Sequence, residues 1–287
     1  MLLYAGQFVI SRWSLQRTLS LWDLAAIRFG AAGVLLLPVV LRHGVVDAAG
    51  IGWGRAVVLA ITAGAPYTLI LFAGLTLAPA SHGAIVISGS TPVVSTVFVW
   101  LWFGERPWPI TFGGLATIIA GLLLVGWPGA IGVSRGLTWM GDLLFVAASV
   151  LWALFTVLAR RWEVDPLRAT AMVWVLALVY LPLYAARGGT RLIEAPHGEV
   201  LFQALYQGLG VAIGALLLYT VAIRALGAST ASLFMPLIPV FSVVLAVPVL
   251  GEIPLPIQVV GMVAVSVGMA LALAWPPRPP EVVGARP

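Results

Sequence analysis

An internal repeat constrains the fold more than any other feature of this sequence. Eleven of the 30 positions from 92 to 121 carry the same residue as the positions 147 further along, from 239 to 268. Self-similarity at a long period indicates that one structural unit has been duplicated. The chain is therefore predicted to use one unit twice. The clearest shared positions are Pro92 and Pro239, Gly104-Glu105 and Gly251-Glu252, Gly114 and Gly261, and Gly121 and Gly268.

The composition places this duplicated unit in a membrane. Hydrophobic residues make up 61% of the chain and charged residues 9%, against about 25% charged residues in an ordinary soluble domain. A core built from 287 residues cannot hide that much apolar surface from water, so most of it must face lipid. We therefore expect an all-α polytopic membrane protein whose surroundings are the lipid bilayer.

Several functional classes are excluded by residue usage. The chain has no Cys, which rules out disulfides, thiolate metal sites and a cysteine nucleophile. All of its basic residues are Arg, and none forms a basic cluster interleaved with aromatic residues, so no nucleic acid partner is expected. Without Lys there is no nucleotide-binding P-loop. We expect no cofactor and no metal.

Apolar segments predict ten helices, five in each repeat. The first is short or truncated, because residues 1–11 span only about 17 Å as a helix, and its true start could lie upstream of Met1. The repeats are assigned to residues 1–127 and 139–275, joined by a loop at 128–138 and followed by a disordered tail at 276–287. The predicted helices are 1–11, 24–41, 57–77, 84–103, 110–127, 140–158, 169–186, 204–223, 231–250 and 257–275.

An odd number of helices per repeat predicts inverted topology, since the second repeat then starts on the opposite side of the membrane. With this topology, nine Arg fall on the side of the N-terminus and six on the other side. This bias predicts that both termini are cytoplasmic, in a plasma (bacterial inner) membrane. Glu105 and Glu252 then lie on opposite faces and cannot act as a catalytic pair, so we interpret them as structural loop caps.

Central prolines predict where a cavity lies. Pro66, Pro92 and Pro239 are expected to kink the third, fourth and ninth helices. In the last two, the carbonyls of Ser88 and Met235 would lose their usual amide partners, which is tolerated at membrane depth only against protein or a hydrated cavity. We expect a midplane cavity between the repeats; packing kinks covered by neighbouring helices are the alternative.

Polar and aromatic positions on the helices supply the predicted lining of that cavity. On the sixth helix, Asp142, Phe145, Ser149, Trp152 and Thr156 follow helical spacing and share one face, which would not face lipid. The alternative role for such residues is hydrogen bonding between helices. The predicted substrate-binding residues are Tyr4, Gln7, Tyr67, Ser88, Trp152, Thr156, Tyr206, Gln207 and Met235.

Three ionisable residues carry open assignments. Asp142 and His82 are the candidates for proton coupling, although Asp142 could instead cap its helix and His82 could be an ordinary interfacial residue. Arg28 lies about one turn inside the second predicted helix. We expect it to reach back to the interface or to Asp23, with a role as substrate counter-charge as the alternative.

The repeated pattern of an apolar helix with a central Pro, then Gly-Glu, then a Pro-led helix with spaced Gly resembles the EamA-type members of the drug/metabolite transporter superfamily. The resemblance covers nearly the whole chain and includes Arg28-Phe29 and Ala228-Ser229. It implies two inverted five-helix repeats, a central cavity, and export of small metabolites such as amino acids or of drugs. The fourth helix lacks the bulky aromatic expected before Pro92 in aromatic amino acid exporters, so the analogy stops at the class.

The leading functional hypothesis is a secondary transporter, most simply an exporter, that works by alternating access on a small-molecule substrate and is not an enzyme. A homodimer is left open. One alternative is an integral membrane enzyme acting on lipid-linked substrates, which would need acidic or His clusters at the interface. The three His are isolated, and the close acidic pairs, Glu163 with Asp165 and Glu194 with Glu199, lie in predicted loops. A channel-like or scaffold subunit is the other alternative.

Overall fold

The computed structural model describes residues 1–133, 136–188 and 191–273. These residues form helices joined by short connections, and no strand occurs among them. We number the main helical segments α1 to α10. They are α1 Leu2–Leu15, α2 Leu21–His43, α3 Trp53–Leu77, α4 Ala80–Phe103, α5 Pro109–Ala130, α6 Thr138–Arg161, α7 Pro166–Ala186, α8 His197–Leu226, α9 Thr230–Leu250 and α10 Pro256–Leu273.

The all-α membrane fold is confirmed, but the count of ten spanning helices is not. Nine helices in the described part of the chain, α2 to α10, are long and apolar enough to cross a membrane. Helix α1 has 14 residues, about 21 Å in length, which is shorter than the roughly 30 Å hydrocarbon core. The first helix is therefore short, as expected, and the expected total of ten falls to nine plus this segment.

The structure bears on only one of the two segments that were predicted to lie outside the repeats. Helix α5 continues through Pro128 to Ala130, and α6 begins at Thr138, so the predicted loop at 128–138 is shorter in the structure. The predicted disordered tail at 276–287 lies outside the described residues.

The predicted kinks have different local causes. Helix α3 breaks at Gly64, and Pro66 lies in the first turn after the break, where it removes no helical hydrogen bond. Pro92 lies inside the uninterrupted α4. The prediction for Pro239 was wrong in its geometry: the regular part of α9 begins at Leu237, so Pro239 lies in its first turn. The Met235 carbonyl is also satisfied, because it accepts from the Ile238 amide at 3.0 Å.

Contacts between the two halves follow the order of the repeats. Helix α1 packs against α8 and α9, while α6, five helices later, packs against α3 and α4. In the same way α2 packs against α8, and α7 packs against α3. The corresponding helices of the two halves also meet directly, in the pairs α2–α7, α4–α9 and α5–α10. The contacts made by helices of one half are thus repeated by the corresponding helices of the other half.

The repeated glycines explain how α5 and α10 pack. A Cβ placed on Gly121 would lie 2.6 Å from the Gly261 carbonyl oxygen, and one placed on Gly114 would lie 2.7 Å from the Gly268 carbonyl oxygen. The reciprocal contacts, from Gly261 to Gly121 and from Gly268 to Gly114, have the same lengths. Only hydrogen fits at these positions, so the two backbones touch as an antiparallel pair.

Candidate functional site

Arg28 is the centre of the candidate site. It lies seven residues after the start of α2, about 10 Å along the helix, and only 4% of it is exposed. Its guanidinium donates to the side-chain oxygens of Gln7 on α1 and Gln207 on α8, both at 3.4 Å, and its Nε has no partner. A cation and two amides therefore meet where both halves of the chain converge.

The expectation that Arg28 reaches back to Asp23 was wrong. Asp23 forms a capping box with Ser20 at the start of α2, with its carboxylate accepting from the Ser20 amide at 2.8 Å. The same carboxylate accepts from the Tyr184 hydroxyl. Asp23 is thus held at the helix end, while Arg28 points into the bundle.

A local distortion of α8 brings Gln207 to Arg28. Residues Ala204–Ala215 form a π-helix, a feature that is frequent at functional sites. Gly208 lies on this segment, and a Cβ there would stand 2.5 Å from the Ala31 side chain on α2. The missing side chain lets α8 approach α2 closely, which places Gln207 beside Arg28.

Aromatic rings surround the guanidinium. Its carbon lies 5.0 Å from the ring centre of Trp174 and 5.9 Å from that of Phe72, within cation–π range. Tyr67 lies in electrostatic range of the cation and packs on Trp152 with ring centres 5.2 Å apart. Tyr4, the counterpart of Trp152 in the first half, also lies in electrostatic range of Arg28. Together these residues form a polar and aromatic cluster, which we call the Arg28 cluster.

A chain of hydrogen bonds links this cluster to one end of the bundle. Gln207 donates to the Gln203 side-chain oxygen at 3.4 Å, Gln203 donates to the Ser14 hydroxyl at 2.7 Å, and Ser14 donates to Glu199 at 2.5 Å. Every donor points from the cation towards the carboxylate. The relay connects Arg28 to Glu199 through three neutral groups rather than by an ion pair.

His82 and Asp142, predicted separately, form one buried cluster. The His82 Nδ1 lies 2.8 Å from an Asp142 oxygen, and its Nε2 lies 2.9 Å from the side-chain nitrogen of Gln258. The second Asp142 oxygen is buried without a partner. These residues come from the first turns of α4, α6 and α10, at the end of the bundle where α1 and α9 terminate.

At the same end, Glu252 and Arg12 form a buried ion pair. Glu252 also accepts from the first amide of α4, at Ala80, at 2.8 Å, and Arg12 also donates to the Leu75 carbonyl. Each charged side chain is 14% exposed. This arrangement ties the ends of α1, α3 and α9 to the start of α4, and we call it the closed end.

The repeat counterpart of this ion pair is exposed. Arg160 lies eight residues after Trp152, as Arg12 lies eight after Tyr4, and it donates to Glu105 at 2.9 Å with the two side chains 55% and 47% exposed. Helix α1 also contacts α3 and α4, whereas α6 makes at most marginal contact with α8 and α9. The bundle is thus packed at the closed end and looser at the opposite end, which we call the open end.

Some predicted lining residues lie outside the Arg28 cluster. Thr156 is exposed, and its hydroxyl donates back to its own helix at Ala153. Tyr206 is half-buried and donates to the Leu3 carbonyl at 3.0 Å. Ser88 and Met235 are half-buried on α4 and before the regular part of α9. Of the nine, Gln7 and Gln207 contact Arg28, Tyr4 and Tyr67 lie within electrostatic range of it, and Trp152 packs on Tyr67.

Two cavities in the described part of the chain lie away from the predicted midplane site. One, of about 260 Å³, is lined by polar residues between the α2–α3 and α6–α7 connections, including Arg55, Asp165 and Arg168. The other, of about 580 Å³, is an apolar groove between α3 and α7 that includes Pro66. Arg28 itself is 4% exposed.

Gln203 and Gln258 were not selected from the sequence. Gln203 precedes the predicted start of the eighth helix, and Gln258 is the second residue of the predicted tenth helix, so both lie where the sequence predicts helix ends. The spacing could have indicated Gln203, because Glu199, Gln203 and Gln207 recur every four residues and so share one helix face. A charged residue within an apolar helix was the corresponding signal for Arg28.

The fold and the buried polar centre define a multi-pass helical membrane protein of the transporter class. The chain matches the EamA-like transporter family over residues 1–127 and 139–274. It belongs to that family. The EamA-type resemblance drawn from the repeat is thereby confirmed, and the chain is a membrane transporter.

Similar proteins agree with this class. An uncharacterized transporter of Archaeoglobus fulgidus is 26% identical over 280 residues, covering 96% of this chain and 94% of the relative. The uncharacterized transporter YyaM of Bacillus subtilis is 27% identical over 262 residues, covering 86% of this chain and 83% of the relative. A crystal structure with 22% identity covers 93% of this chain and 94% of its own, with a TM-score of 0.57, and so shares the fold.

Proposed function

We propose that this protein is a secondary transporter that exports small metabolites or drugs by alternating access around the Arg28 cluster. The observation that carries the proposal is the unequal state of the two repeat-related ion pairs. The side chains of Arg12 and Glu252 are each 14% exposed, whereas those of Arg160 and Glu105 are 55% and 47% exposed. Two equivalent ends in two different states are what a carrier built from inverted repeats requires.

In this proposal the repeats are residues 1–127 and 139–275, inverted with respect to each other. The open end faces the cytoplasm, because it carries the excess of Arg expected on that side of a bacterial inner membrane. The small-molecule substrate enters there and reaches Arg28. The closed end then opens by separating Glu252 from Arg12 and Ala80, while the open end tightens around Glu105.

Transport through the Arg28 cluster predicts a strong effect of Trp152→Ala. Purified protein in liposomes is expected to take up at least one compound from a panel of labelled amino acids, organic acids and cationic drugs, with saturable kinetics. Trp152 is half-buried and packs on Tyr67, and removing an aromatic side chain from this cluster should weaken apparent affinity about tenfold or more.

The matched control is Trp139→Ala, on the same helix but 46% exposed at its start, which should transport as the wild type does. Equal transport by both variants would place the substrate elsewhere. If the wild type moves no compound of the panel under any gradient, the transporter mechanism fails.

We also propose that Asp142 and His82 couple transport to protons. Protonation of the unpartnered Asp142 oxygen would give it a proton to donate and would change its bond to His82. The other ionisable groups at this end include Glu252 and Arg12, joined to the same helix start at Ala80. Glu199, which accepts from Ser14 near the end of α1, and Asp23, which caps the start of α2, also lie at this end. A change of charge at Asp142 would therefore alter the packing of the closed end.

Asp142→Asn is expected to abolish the response of uptake to an imposed pH gradient. Exchange of substrate across the membrane without a gradient is expected to be unchanged. The measurement is initial uptake with and without the gradient in the wild type and the variant. Asp47→Asn, at an exposed position in the α2–α3 connection, is the control and should keep the wild-type response. An unchanged gradient response in Asp142→Asn would remove the proton-coupling role.

A further inference from the structure

We propose that Arg28 is the docking group for a carboxylate on the transported substrate. The inference rests on the proposed transport function and assigns its substrate class: small organic acids, including zwitterions, whose carboxylate meets Arg28 and whose body lies against the neighbouring aromatic rings.

Among the residues that the structure describes, the charge at Arg28 has no counter-ion. Its side chain is 4% exposed, and no carboxylate of the described residues lies within ion-pair distance of it. A guanidinium stays protonated in a protein. Charged side chains inside a membrane protein are expensive and normally pair with an opposite charge. A bound anion would complete such a pair.

The hydrogen bonds that Arg28 now makes are easily replaced. The oxygens of Gln7 and Gln207 accept at 3.4 Å, beyond the usual 2.7–3.2 Å of N–H···O bonds, and Nε makes none. A carboxylate offers two oxygens that match the fork of a guanidinium and would give shorter, charge-assisted bonds. A carboxylate could therefore replace these two long contacts without breaking a short hydrogen bond of Arg28.

The surroundings select against cations and accept an apolar body. Trp174 and Phe72 lie within cation–π distance of the guanidinium, which leaves its N–H edge for a ligand. Tyr67 and Trp152 add an aromatic pair close by. A second cation would be repelled by the buried charge of Arg28, and a neutral amide would gain no ion pair.

The alternative explanation is that Glu199 balances the buried charge of Arg28 through the chain of hydrogen bonds. Glu199 precedes Gln207 by eight residues, about 12 Å along the helix, and three neutral groups separate it from Arg28. The donors of the relay are oriented by the cation, but attraction between charges at this distance is small compared with direct contact. The relay thus holds the Gln207 oxygen towards Arg28 and leaves the charge available.

The inference is tested with ligands that are similar in shape but differ in charge: an anion, a neutral amide and a cation. The full-length protein in detergent is mixed with phenylacetate, phenylacetamide or phenethylamine, and also with phenylalanine or phenylalaninamide, at millimolar concentrations. The unfolding midpoint is followed by intrinsic Trp fluorescence. In the wild type, the two carboxylates are expected to raise the midpoint, and the amides and the amine are expected to do so much less.

Variants at Arg28 assign the effect to this residue. Arg28→Gln is expected to weaken carboxylate binding about 30-fold or more, because it removes one partner of a buried charge pair. Arg28→Lys keeps the charge without the fork and is expected to retain weaker selectivity. Arg42→Gln removes a charge from the exposed end of the same helix and is expected to behave as the wild type.

Two results would overturn the inference: equal stabilisation of the wild type by carboxylates and their amides, or unchanged carboxylate selectivity in Arg28→Lys and Arg28→Gln. The wild-type comparison stands even if Arg28→Gln does not fold. Uptake of the amine or the amides with no preference for carboxylates would contradict the proposed substrate class but would remain consistent with the proposed transport mechanism. Carboxylate binding through Arg28 without any transport would support the proposed binding site but would contradict the proposed transport mechanism.

Discussion

Gly121→Val is expected to prevent accumulation of folded protein. The new Cβ would lie 2.6 Å from the Gly261 carbonyl oxygen and 2.8 Å from the Val265 amide nitrogen. Both are backbone atoms, which move only if α10 moves as a whole. Overpacking typically costs about 1–3 kcal/mol, and occasionally more; here the obstruction is backbone, so we expect the upper end of that range. The expected result is a large fall in yield and in unfolding midpoint, measured by fluorescence-detected size exclusion and thermal unfolding.

Gly113→Val is the matched control for this experiment. Gly113 lies on the same helix, and a Cβ there meets nothing within 4 Å, so its yield and unfolding midpoint should stay close to those of the wild type. If Gly121→Val accumulates and unfolds as Gly113→Val does, α5 and α10 are not in backbone contact in the membrane. The structural reason given for the repeated glycines would then be wrong.

Glu252→Gln is expected to open the closed end. The substitution leaves Arg12 in a mostly buried position without its counter-ion, and loss of one partner of a buried pair is strongly unfavourable. The closed state should therefore become less populated. The chain has no Cys, so Ser81→Cys, at a position 4% exposed next to Ala80, gives a single reporter. Its labelling by a membrane-impermeant thiol reagent should accelerate at least about tenfold.

Glu105→Gln supplies the control because it breaks the repeat-related pair at the open end. That pair is about half exposed, and exposed ion pairs contribute about 0–1 kcal/mol. Labelling of Ser81→Cys should stay within about fivefold of the rate in the unmodified background. Equal acceleration by both substitutions would show a general loosening of the bundle and would contradict the assignment of a closed and an open end.

The fold could be predicted because the lengths of the apolar segments and the repeated residues can both be counted directly in the sequence. Uninterrupted apolar runs located nine spanning helices, and the repeat indicated the family. The break before Leu237 was not visible, because Pro239 alone does not show whether it lies within a helix or in its first turn. The shortened connection after Trp127 was missed for a related reason, since Pro128 was read as a helix end.

The candidate site was less accessible to sequence reasoning. Gln7, Tyr67 and Trp152 were selected because polar and aromatic residues within apolar helices stand out. In the structure Gln7 contacts Arg28, and Tyr67 and Trp152 pack on each other. The direction of the Arg28 side chain could not be predicted, because a side chain that long reaches either the interface or the interior, and packing decides between them. Thr156 shows the converse error, since a shared helix face does not establish that every residue on it points inward.

Counterflow by the wild-type protein is the most direct test of the transport mechanism. Liposomes are loaded with unlabelled phenylacetate, or with whichever compound the panel identifies, and labelled compound is added outside at low concentration. A carrier whose single site alternates between two sides should transiently accumulate the label above equilibrium in loaded liposomes only. Equilibration at the same rate in loaded and empty liposomes, accompanied by ionic current, would indicate a continuous pore and would contradict alternating access around Arg28.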